Sequence, residues 1–288
     1  PVSRGDPGRR HREDCDRDRP YPARPAGVLT MDGGELLQLE ERWRAYVDRF
    51  RKGGALRPMH QLKLEHTVRV AADARAVAAG LGWPEAEQNL AEAIGLCHDI
   101  ARFPQFAQYQ TFSDADSIDH GDLGARTLEA EGLLDGLADE PRALILHSVQ
   151  YHNKKDLPRT LSAHEEKHLR LIRDADRIDI FFVCWDALNS GRIHEHPELM
   201  MNIDFSGPPS DAVLEQFDRG ETIDYKKIST MADRFVLQLS WMHDLSYAAS
   251  KRLVRERGIL EKMIDVLPAK TPHLMRCFER TEAFLAEV

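Results

Sequence analysis

The chain has 288 residues, with 48 acidic and 39 basic side chains and a formal net charge of −9. This length holds one large or two small domains, and the acidic balance argues against non-specific nucleic-acid binding, which needs a broad cationic surface. No segment approaches the roughly 18 consecutive apolar residues of a membrane span. The cysteines are far apart and form no CxxC pair, which indicates reduced thiols in a cytoplasmic compartment: Cys15, Cys97, Cys184 and Cys277.

The first 30 residues differ in composition from the rest of the chain. They are rich in Arg, Asp, Pro and Gly and lack apolar periodicity, so we expect residues 1–30 to form a disordered extension. A regular pattern starts only after Met31, which leads to the hypothesis that the native chain begins at this residue.

Helical periodicity dominates the remaining sequence. The first helix begins near Glu35 and stops at the pair Gly53-Gly54, and its apolar row is Leu36, Leu39, Trp43, Val47 and Phe50. The second helix carries His66 and ends near Gly80 or Gly82. Pro84 is expected in the first turn of the third helix, which Pro104 closes.

Residues 105–117 read as a loop that would form one wall of a site. Further helices are predicted at about 119–132, 140–152, 164–190, 210–219, 225–257 with a break, and 271–287. Alternating β patterns and internal repeats are absent from the sequence. We therefore expect an all-α fold, a helical bundle with a C-terminal helical extension.

Three segments that otherwise read as buried helical stripes carry polar side chains: His66, the pair His98-Asp99, and Asp176. The apolar residues at four-residue spacing around them are Leu62, Val70 and Ala74, then Leu90 and Ile94, then Ile172 and Ile180. The polar groups therefore point inward. An ionised carboxylate buried without a partner is costly, and a metal ion that accepts oxygen and nitrogen ligands removes that cost.

A His-Asp dipeptide alone is weak support, because about one such pair is expected by chance in a chain of this composition. The second pair, His243-Asp244, flanks an aromatic and aliphatic packing row, and we interpret it as structural. What distinguishes His98-Asp99 is its order and context, with EHTVRV before it, LCHDIARF around it and RDADRIDIF after it.

In this order the residues resemble the HD-domain superfamily of metal-dependent phosphohydrolases, whose pattern is a His, then His-Asp, then a distant Asp. The similarity spans roughly residues 60–190 and includes the stretches RFPQFAQYQTFSDADSIDHGDLGA and YHNKK, which are similar to bacterial HD-domain proteins. The resemblance implies metal ligands at His66, His98, Asp99 and Asp176. Ala101 stands where many members have Gly, a change from one small residue to another.

The resemblance leaves open whether the site holds one metal ion or two. Some members hold a second ion with two further histidines in the interval that here contains His120 and His152. His147 competes with His152, but five residues on a helix correspond to about 140° of rotation, so both can hardly reach one ion. We prefer His152 because polar groups suited to phosphate follow it directly: Asn153, Lys154 and Lys155.

The chemistry that the resemblance implies is hydrolysis of a phosphoester or phosphoanhydride of a small phosphorylated metabolite, with a nucleotide as the leading expectation. One or two divalent ions, chosen from Mn, Fe, Mg, Zn, Co and Ni, would supply a bound hydroxide that attacks phosphorus. The residues expected to carry the reaction are Asp99, His98, Arg102 and Lys154, with Asp99 as the bridge between two ions. For Arg102 and Lys155 the alternative is a solvated surface charge.

The expected organisation is a disordered segment 1–30, an HD domain at 31–190 and a C-terminal elaboration at 191–288. A different class of function also fits, namely a sensor or scaffold that binds a nucleotide or metal without turnover. A nucleic-acid hydrolase conflicts with the acidic balance. No membrane partner is expected, and a homo-oligomer is left open.

Two further pairs of residues carry weaker hypotheses. Asp174 and Arg177 flank Asp176 and either orient the ligands or form an ordinary ion pair on the helix surface. His194 and His196 suggest a separate metal site, but with no third ligand nearby we interpret their segment as a loop over or beside the cleft.

Overall fold

A computed structural model describes residues 31–192 and 203–287. Across these ranges the chain is all-α, as predicted, and its only β structure is two isolated bridges. The predicted disordered extension at 1–30 and the segment with His194 and His196 lie outside the described residues. None of the described helices is long and apolar enough to cross a membrane.

The α-helices are numbered in chain order, and most lie within a few residues of the predicted bounds. They are α1 Gly33–Asp48, α2 Pro58–Gly80, α3 Glu85–Cys97, α4 Arg102–Tyr109, α5 His120–Ala130, α6 Asp139–Tyr151, α7 Ala163–Asn189, α8 Asp211–Asp218, α9 Met231–His243, α10 Ala248–Glu256, α11 Ile259–Asp265 and α12 Pro272–Ala286. A 3₁₀ helix, Tyr225–Lys227, lies between α8 and α9.

Local capping explains where several of these helices begin. Asp32 and Glu35 form a capping box at the start of α1, and Ser162 and Glu165 form another at the start of α7. In each box the side chain of the N-cap residue and the side chain three positions later satisfy backbone N–H groups that have no partner within the helix.

Two predictions about helix bounds were wrong. Pro104 does not close a helix but lies in the first turn of α4, where its missing N–H costs no hydrogen bond, so the loop begins only after Gln110. The short helix α11 was missed, because its seven residues follow Gly258 in the left-handed conformation (φ 59°) and are too few to show a period.

The described residues form two hydrophobic cores, and α7 belongs to both. The first core is built by α1–α6 and the beginning of α7 up to Ala175, and it also includes Ala249 of α10. The second begins at Ile178 on the same helix and continues through α8–α12. A boundary at residue 190 stays a prediction, since the packing changes in the middle of α7 and not at its end.

Polar contacts join the two cores where α7 and α2 meet α10. The Asp174 carboxylate is buried and accepts hydrogen bonds from the backbone N–H groups of Ser246, at 3.0 Å, and Tyr247, at 3.1 Å. Arg257, at the end of α10, forms an ion pair with buried Asp73 of α2. The C-terminal helices therefore pack against the elements that carry the predicted ligands.

Candidate metal centre

The first ligands come together because α2 and α3 pack unusually closely. A Cβ atom added at Gly95 of α3 would lie 2.6 Å from the Cα of Ala71 on α2, a distance that no side chain tolerates. Glycine at this position lets the two backbones approach. His66 of α2 and His98, the C-cap residue of α3, consequently place their Nε2 atoms 3.3 Å apart.

Asp176 of α7 completes this first group of ligands. Its Oδ1 lies 3.1 Å from the His66 Nε2 and 3.7 Å from the His98 Nε2. The two histidines are almost fully buried, whereas the Asp176 side chain is 22% exposed. The group therefore opens toward solvent on the side of Asp176.

The second group of ligands lies where α5 packs on α6. His120 is the first residue of α5 and His152 the C-cap residue of α6, and their Nε2 atoms lie 3.1 Å apart. Gly121 and Gly124 permit this approach, because added Cβ atoms would lie 2.5 Å from the Asn153 Oδ1 and 2.7 Å from a Val149 methyl group. His152 and not His147 thus accompanies His120, as the sequence favoured.

Asp99 stands between the two groups and turns one carboxylate oxygen to each. Its Oδ2 lies 3.5 Å from the His66 Nε2 and 3.6 Å from the His98 Nε2. Its Oδ1 lies 3.7 Å from the His120 Nε2 and 3.9 Å from the His152 Nε2. The Asp99 carboxylate therefore faces both ligand groups.

The orientation of the four imidazole rings is fixed from the outside. The Nδ1 atom of His98 donates to the Gly95 carbonyl and that of His152 to the Val149 carbonyl, each at 2.7 Å. The other two rings donate from Nδ1 to carboxylates, His66 to Asp179 at 2.7 Å and His120 to Asp114 at 2.6 Å. With the Nδ1 proton held in this way, a neutral ring directs the Nε2 lone pair inward.

Facing Nε2 lone pairs give a test of whether metal ions fit the residues present. Two rings that keep a proton only at Nδ1 repel at the observed 3.3 Å and 3.1 Å unless a proton or a metal ion lies between their Nε2 atoms. Nitrogen and oxygen ligands about 2.0–2.2 Å from one ion lie roughly 3.0–3.6 Å from each other. In the first group the separations of 3.1 and 3.3 Å lie within this spacing and the third, 3.7 Å, is close to its upper end, so the residues fit a divalent ion.

Ionisation of the first group also favours a bound cation. Burial and the Lys63 ammonium lower the pKa of His66, but hydrogen bonds to Asp176, Asp179 and Asp99 raise it to about 10. Burial disfavours the charged form of Asp99, yet Lys63 and other neighbouring cations hold the pKa of its carboxyl well below the usual value. The surplus of ionised carboxylates thus attracts positive charge, whether as a proton or as a metal ion.

In the second group the histidine pKa values are lowered, in contrast to that of His66 in the first group. Burial, followed by the neighbouring histidines His120 and His98, lowers the pKa of His152 to about 3. Burial and the Arg102 guanidinium also lower the pKa of His120. Both rings are therefore neutral near pH 7, which is the form of histidine that binds metals.

The structure places Arg102 inside the site and Lys154 at its rim. Arg102 donates from Nη1 to the Phe112 carbonyl at 2.8 Å, and its Nε lies 3.3 Å from the Asp99 Oδ1. Lys154 is instead paired with Asp119, at 2.6 Å, and with Asp122, at 3.1 Å. Lys155 is exposed.

Several other residues considered from the sequence lie away from both groups. His147 contacts Glu165 at 2.8 Å. Arg177 lies 3.7 Å from Asp244. Asp174 accepts hydrogen bonds from the backbone N–H groups just before α10 and contacts none of the ligands named above. As the sequence indicated, His243 has a structural environment, since its ring stacks on Phe284 at 4.5 Å.

Sequence reasoning missed three residues that contact the ligands, Lys63, Asp114 and Asp179. It also missed Arg69, which contacts Asp179. Asp179 accepts from His66 and, at 2.6 Å, from the Arg69 Nε, while the Lys63 Nζ lies 2.7 Å from the Asp99 Oδ2. The helical repeat could have identified Asp179 and Lys63, because three residues along a helix correspond to about 300° of rotation and two residues to about 200°. Asp179 therefore faces the same side as Asp176, whereas Asp174 faces away, and Lys63 similarly lies on the face of His66.

Comparison with known proteins agrees with this geometry. Residues 64–180 match the family model described as HD domain, a range that contains every ligand of the two groups. Searches of curated proteins and of solved structures found no match. The segment 64–180 is therefore an HD domain.

Proposed function

We propose that the chain is a metal-dependent phosphohydrolase that cleaves a phosphoester or phosphoanhydride bond of a small phosphorylated metabolite, with nucleotides as the favoured substrate class. The observation that carries this proposal is the position of Asp99, whose two oxygens face two separate ligand groups. The HD-domain match supports the same reaction class.

The two groups suit two divalent ions that share Asp99. His66, His98 and Asp176 would hold one ion, and His120 and His152 the other. Imidazole and carboxylate ligands accept Mn, Fe, Co, Ni and Zn, and the carboxylates also accept Mg. When bound, such ions polarise a phosphoryl oxygen and lower the pKa of water enough to make it a nucleophile near neutral pH.

Two cations of the chain are placed to bind the phosphate beside these ions. The Lys63 Nζ lies 2.7 Å from one oxygen of Asp99, and the Arg102 Nε lies 3.3 Å from the other. Both side chains pack on the Phe112 ring, at 5.4 Å and 5.6 Å from its centroid. We infer that the Lys63 ammonium and the Arg102 guanidinium neutralise the non-bridging phosphate oxygens.

A role for Lys154 in phosphate binding stays a prediction, and the contacts of Lys154 support it less directly than those of Lys63. Its ammonium is already neutralised by Asp119 and Asp122 at the start of α5. To contact a phosphate it must leave both carboxylates. Lys63 needs no such rearrangement, because among the described residues it forms an ion pair with Asp99 itself.

The proposal is tested by measuring the release of inorganic phosphate and nucleoside from a panel of nucleotides with added Mn²⁺ or Mg²⁺. The wild-type protein is expected to hydrolyse at least one member, and Asp99→Ala is expected to reduce turnover to background. Asp48→Ala is the matched control, since Asp48 is exposed on α1 and pairs only with Arg51 among the described residues.

Retention of turnover by Asp99→Ala would remove the proposed mechanism. Binding of Mn²⁺ and of a nucleotide without release of product would favour the alternative, a sensor or scaffold that keeps the HD fold. The circular dichroism spectrum of Asp99→Asn, which preserves the shape of the side chain, separates loss of chemistry from loss of folding.

A further inference from the structure

A third group of metal-ligating side chains lies outside the HD domain, where α8 packs on α12. It consists of Asp218, His273 and Cys277, and one ligand atom of each lies within 4.8 Å of those of the other two. The two groups in the HD domain contain only imidazole and carboxylate ligands. The third group therefore differs from them both in its position and in its thiol.

Two of these ligands come from one face of α12. His273 and Cys277 are four residues apart, and side chains at this spacing lie above each other on a helix. The start of the helix is fixed locally, because the Thr271 side chain caps it and Pro272 is in its first turn. His273 and Cys277 therefore reach the same side of α12, the side on which Asp218 lies.

Asp218, the last residue of α8, supplies the third ligand. Its Oδ2 lies 2.7 Å from the His273 Nε2, and its Oδ1 accepts a hydrogen bond from the Arg280 Nη1, also at 2.7 Å. The Arg280 guanidinium in turn packs over the Phe217 ring, 5.1 Å from its centroid. Arg280 thus orients the carboxylate and leaves Oδ2 directed at the group. The dipole of α8 also favours a cation at this end of the helix.

The group lies at the boundary between solvent and the second core. Cys277 is fully buried in that core, whereas the side chains of His273 and Asp218 are 33% and 42% exposed. His273 also lines a surface cleft of about 650 Å³, together with Pro208 and Pro209. A hydrated ion can therefore reach the imidazole and the carboxylate from solvent, and the core shields it on the side of the thiol.

We propose that Asp218, His273 and Cys277 bind a zinc ion that ties α12 to α8. Thiolate and imidazole ligands select zinc over magnesium and calcium, which prefer oxygen ligands. The carboxylate and the thiolate carry two negative charges, which balance the charge of the ion, and three protein ligands leave a fourth position for water. The inference is independent of the proposed function, because all three ligands lie outside residues 64–180.

An exposed ion pair is the alternative interpretation of these contacts. The 2.7 Å between His273 and Asp218 is the length of a hydrogen bond, whereas two ligands of one ion lie roughly 3.0–3.6 Å apart. The ring and the carboxylate must therefore separate by less than about 1 Å to admit an ion, and both side chains are exposed enough to move this far. An ion pair does not involve the thiol. The two interpretations thus differ in whether Cys277 takes part.

Cobalt distinguishes these interpretations, because zinc has no visible spectrum and Co²⁺ binds the same kinds of ligands. A thiolate bound to Co²⁺ gives a charge-transfer band in the near ultraviolet, which the HD-domain ligands, lacking a thiol, do not produce. The test uses the full chain with Cys15→Ser, since Cys15 lies outside the described residues. We expect this protein to show the band and Zn²⁺ to remove it by displacement.

Variants of the ligands and two controls locate the band. Adding Cys277→Ser should remove it, and adding His273→Ala should weaken Co²⁺ binding at this site about tenfold or more. Cys184→Ser removes another buried thiol of the second core and should leave the band unchanged. Asp99→Ala should also leave it unchanged, because Asp99 belongs to the HD-domain groups. Loss of phosphohydrolase activity and loss of this site are therefore observed separately.

Thermal unfolding measures whether the ion ties the helices together. With Zn²⁺ at about 100 times its dissociation constant, the ion should raise the Tm of Asp99→Ala about 5–10 °C more than that of Asp99→Ala with His273→Ala. The absence of the cobalt band in the Cys15→Ser protein would overturn the inference, as would a band that persists in Cys277→Ser. If Cys277→Ser does not fold, a band of unaltered affinity in His273→Ala, which changes a partly exposed residue, would overturn it equally.

Discussion

The close packing of α2 and α3 at Gly95 should couple the stability of the fold to the geometry of the metal centre. In Gly95→Ala the new Cβ would lie 2.6 Å from the Ala71 Cα, so the helices must separate by about 0.8 Å to reach an ordinary contact of 3.4 Å. Overpacking of this kind costs about 1–3 kcal/mol. For a chain of this size, this corresponds to a fall in Tm of roughly 2–12 °C.

The same separation should also affect the ligands. His66 and His98 lie on the two helices that move apart, with their Nε2 atoms 3.3 Å from each other. Because disturbed ligand orientation typically lowers metal affinity about 10- to 100-fold, we expect Gly95→Ala to bind Mn²⁺ at least about tenfold more weakly. Thermal unfolding with and without Mn²⁺, together with calorimetric titration of the ion, measures both effects.

Gly33→Ala provides the matched control for this substitution. Gly33 is also helical, but a Cβ added there meets nothing within 4 Å. Alanine has the higher helix propensity, so the control variant should be as stable as the wild-type protein or slightly more stable. The reasoning is refuted if Gly95→Ala and Gly33→Ala have the same Tm and the same affinity for Mn²⁺.

Three further predictions follow from the site and its surroundings. A separate group of possible ligands lies where α8 meets α12, namely Asp218, His273 and Cys277, and His273→Ala removes one of its members. Elemental analysis of this variant, purified without chelator, should find two divalent ions per chain. Adding Asp99→Ala should reduce the count below one, and an unchanged count would contradict the bridging role. Asp179→Asn should weaken Mn²⁺ binding by about 10- to 100-fold, because an amide orients the His66 ring less firmly than a carboxylate, and unaltered affinity in a titration would exclude this role. Burial lowers the pKa of His168 to about 4. The unfolded chain therefore binds more protons than the folded chain between about pH 6.5 and 4, and the free energy of unfolding should fall as the pH falls through this range. In urea unfolding, the free energy of unfolding of His168→Phe should change less with pH than that of the wild-type protein, and an equal change would count against the assignment.

Much of the fold and of the ligand set was accessible from the sequence because both depend on local periodicity. The 3.6-residue repeat placed His66 on a buried face, as observed, whereas Asp176 lies at the partly exposed edge of α7. The same repeat predicted most helices within a few residues. The order of His, His-Asp and Asp then indicated the HD family. The prediction failed at Pro104, because a proline can either end a helix or lie in its first turn. Here it lies in the first turn of α4.

What the sequence determined by itself is therefore which face of each helix carries polar groups, since this depends only on rotation per residue. Which helices those faces meet was decided by the tertiary structure. The approach of α2 to α3 at Gly95 brings His66 to His98, and the packing of α5 against α6 brings His120 to His152. Contacts between residues so far apart in the chain depend on how side chains of both helices fill the space between them, and this property belongs to no single segment.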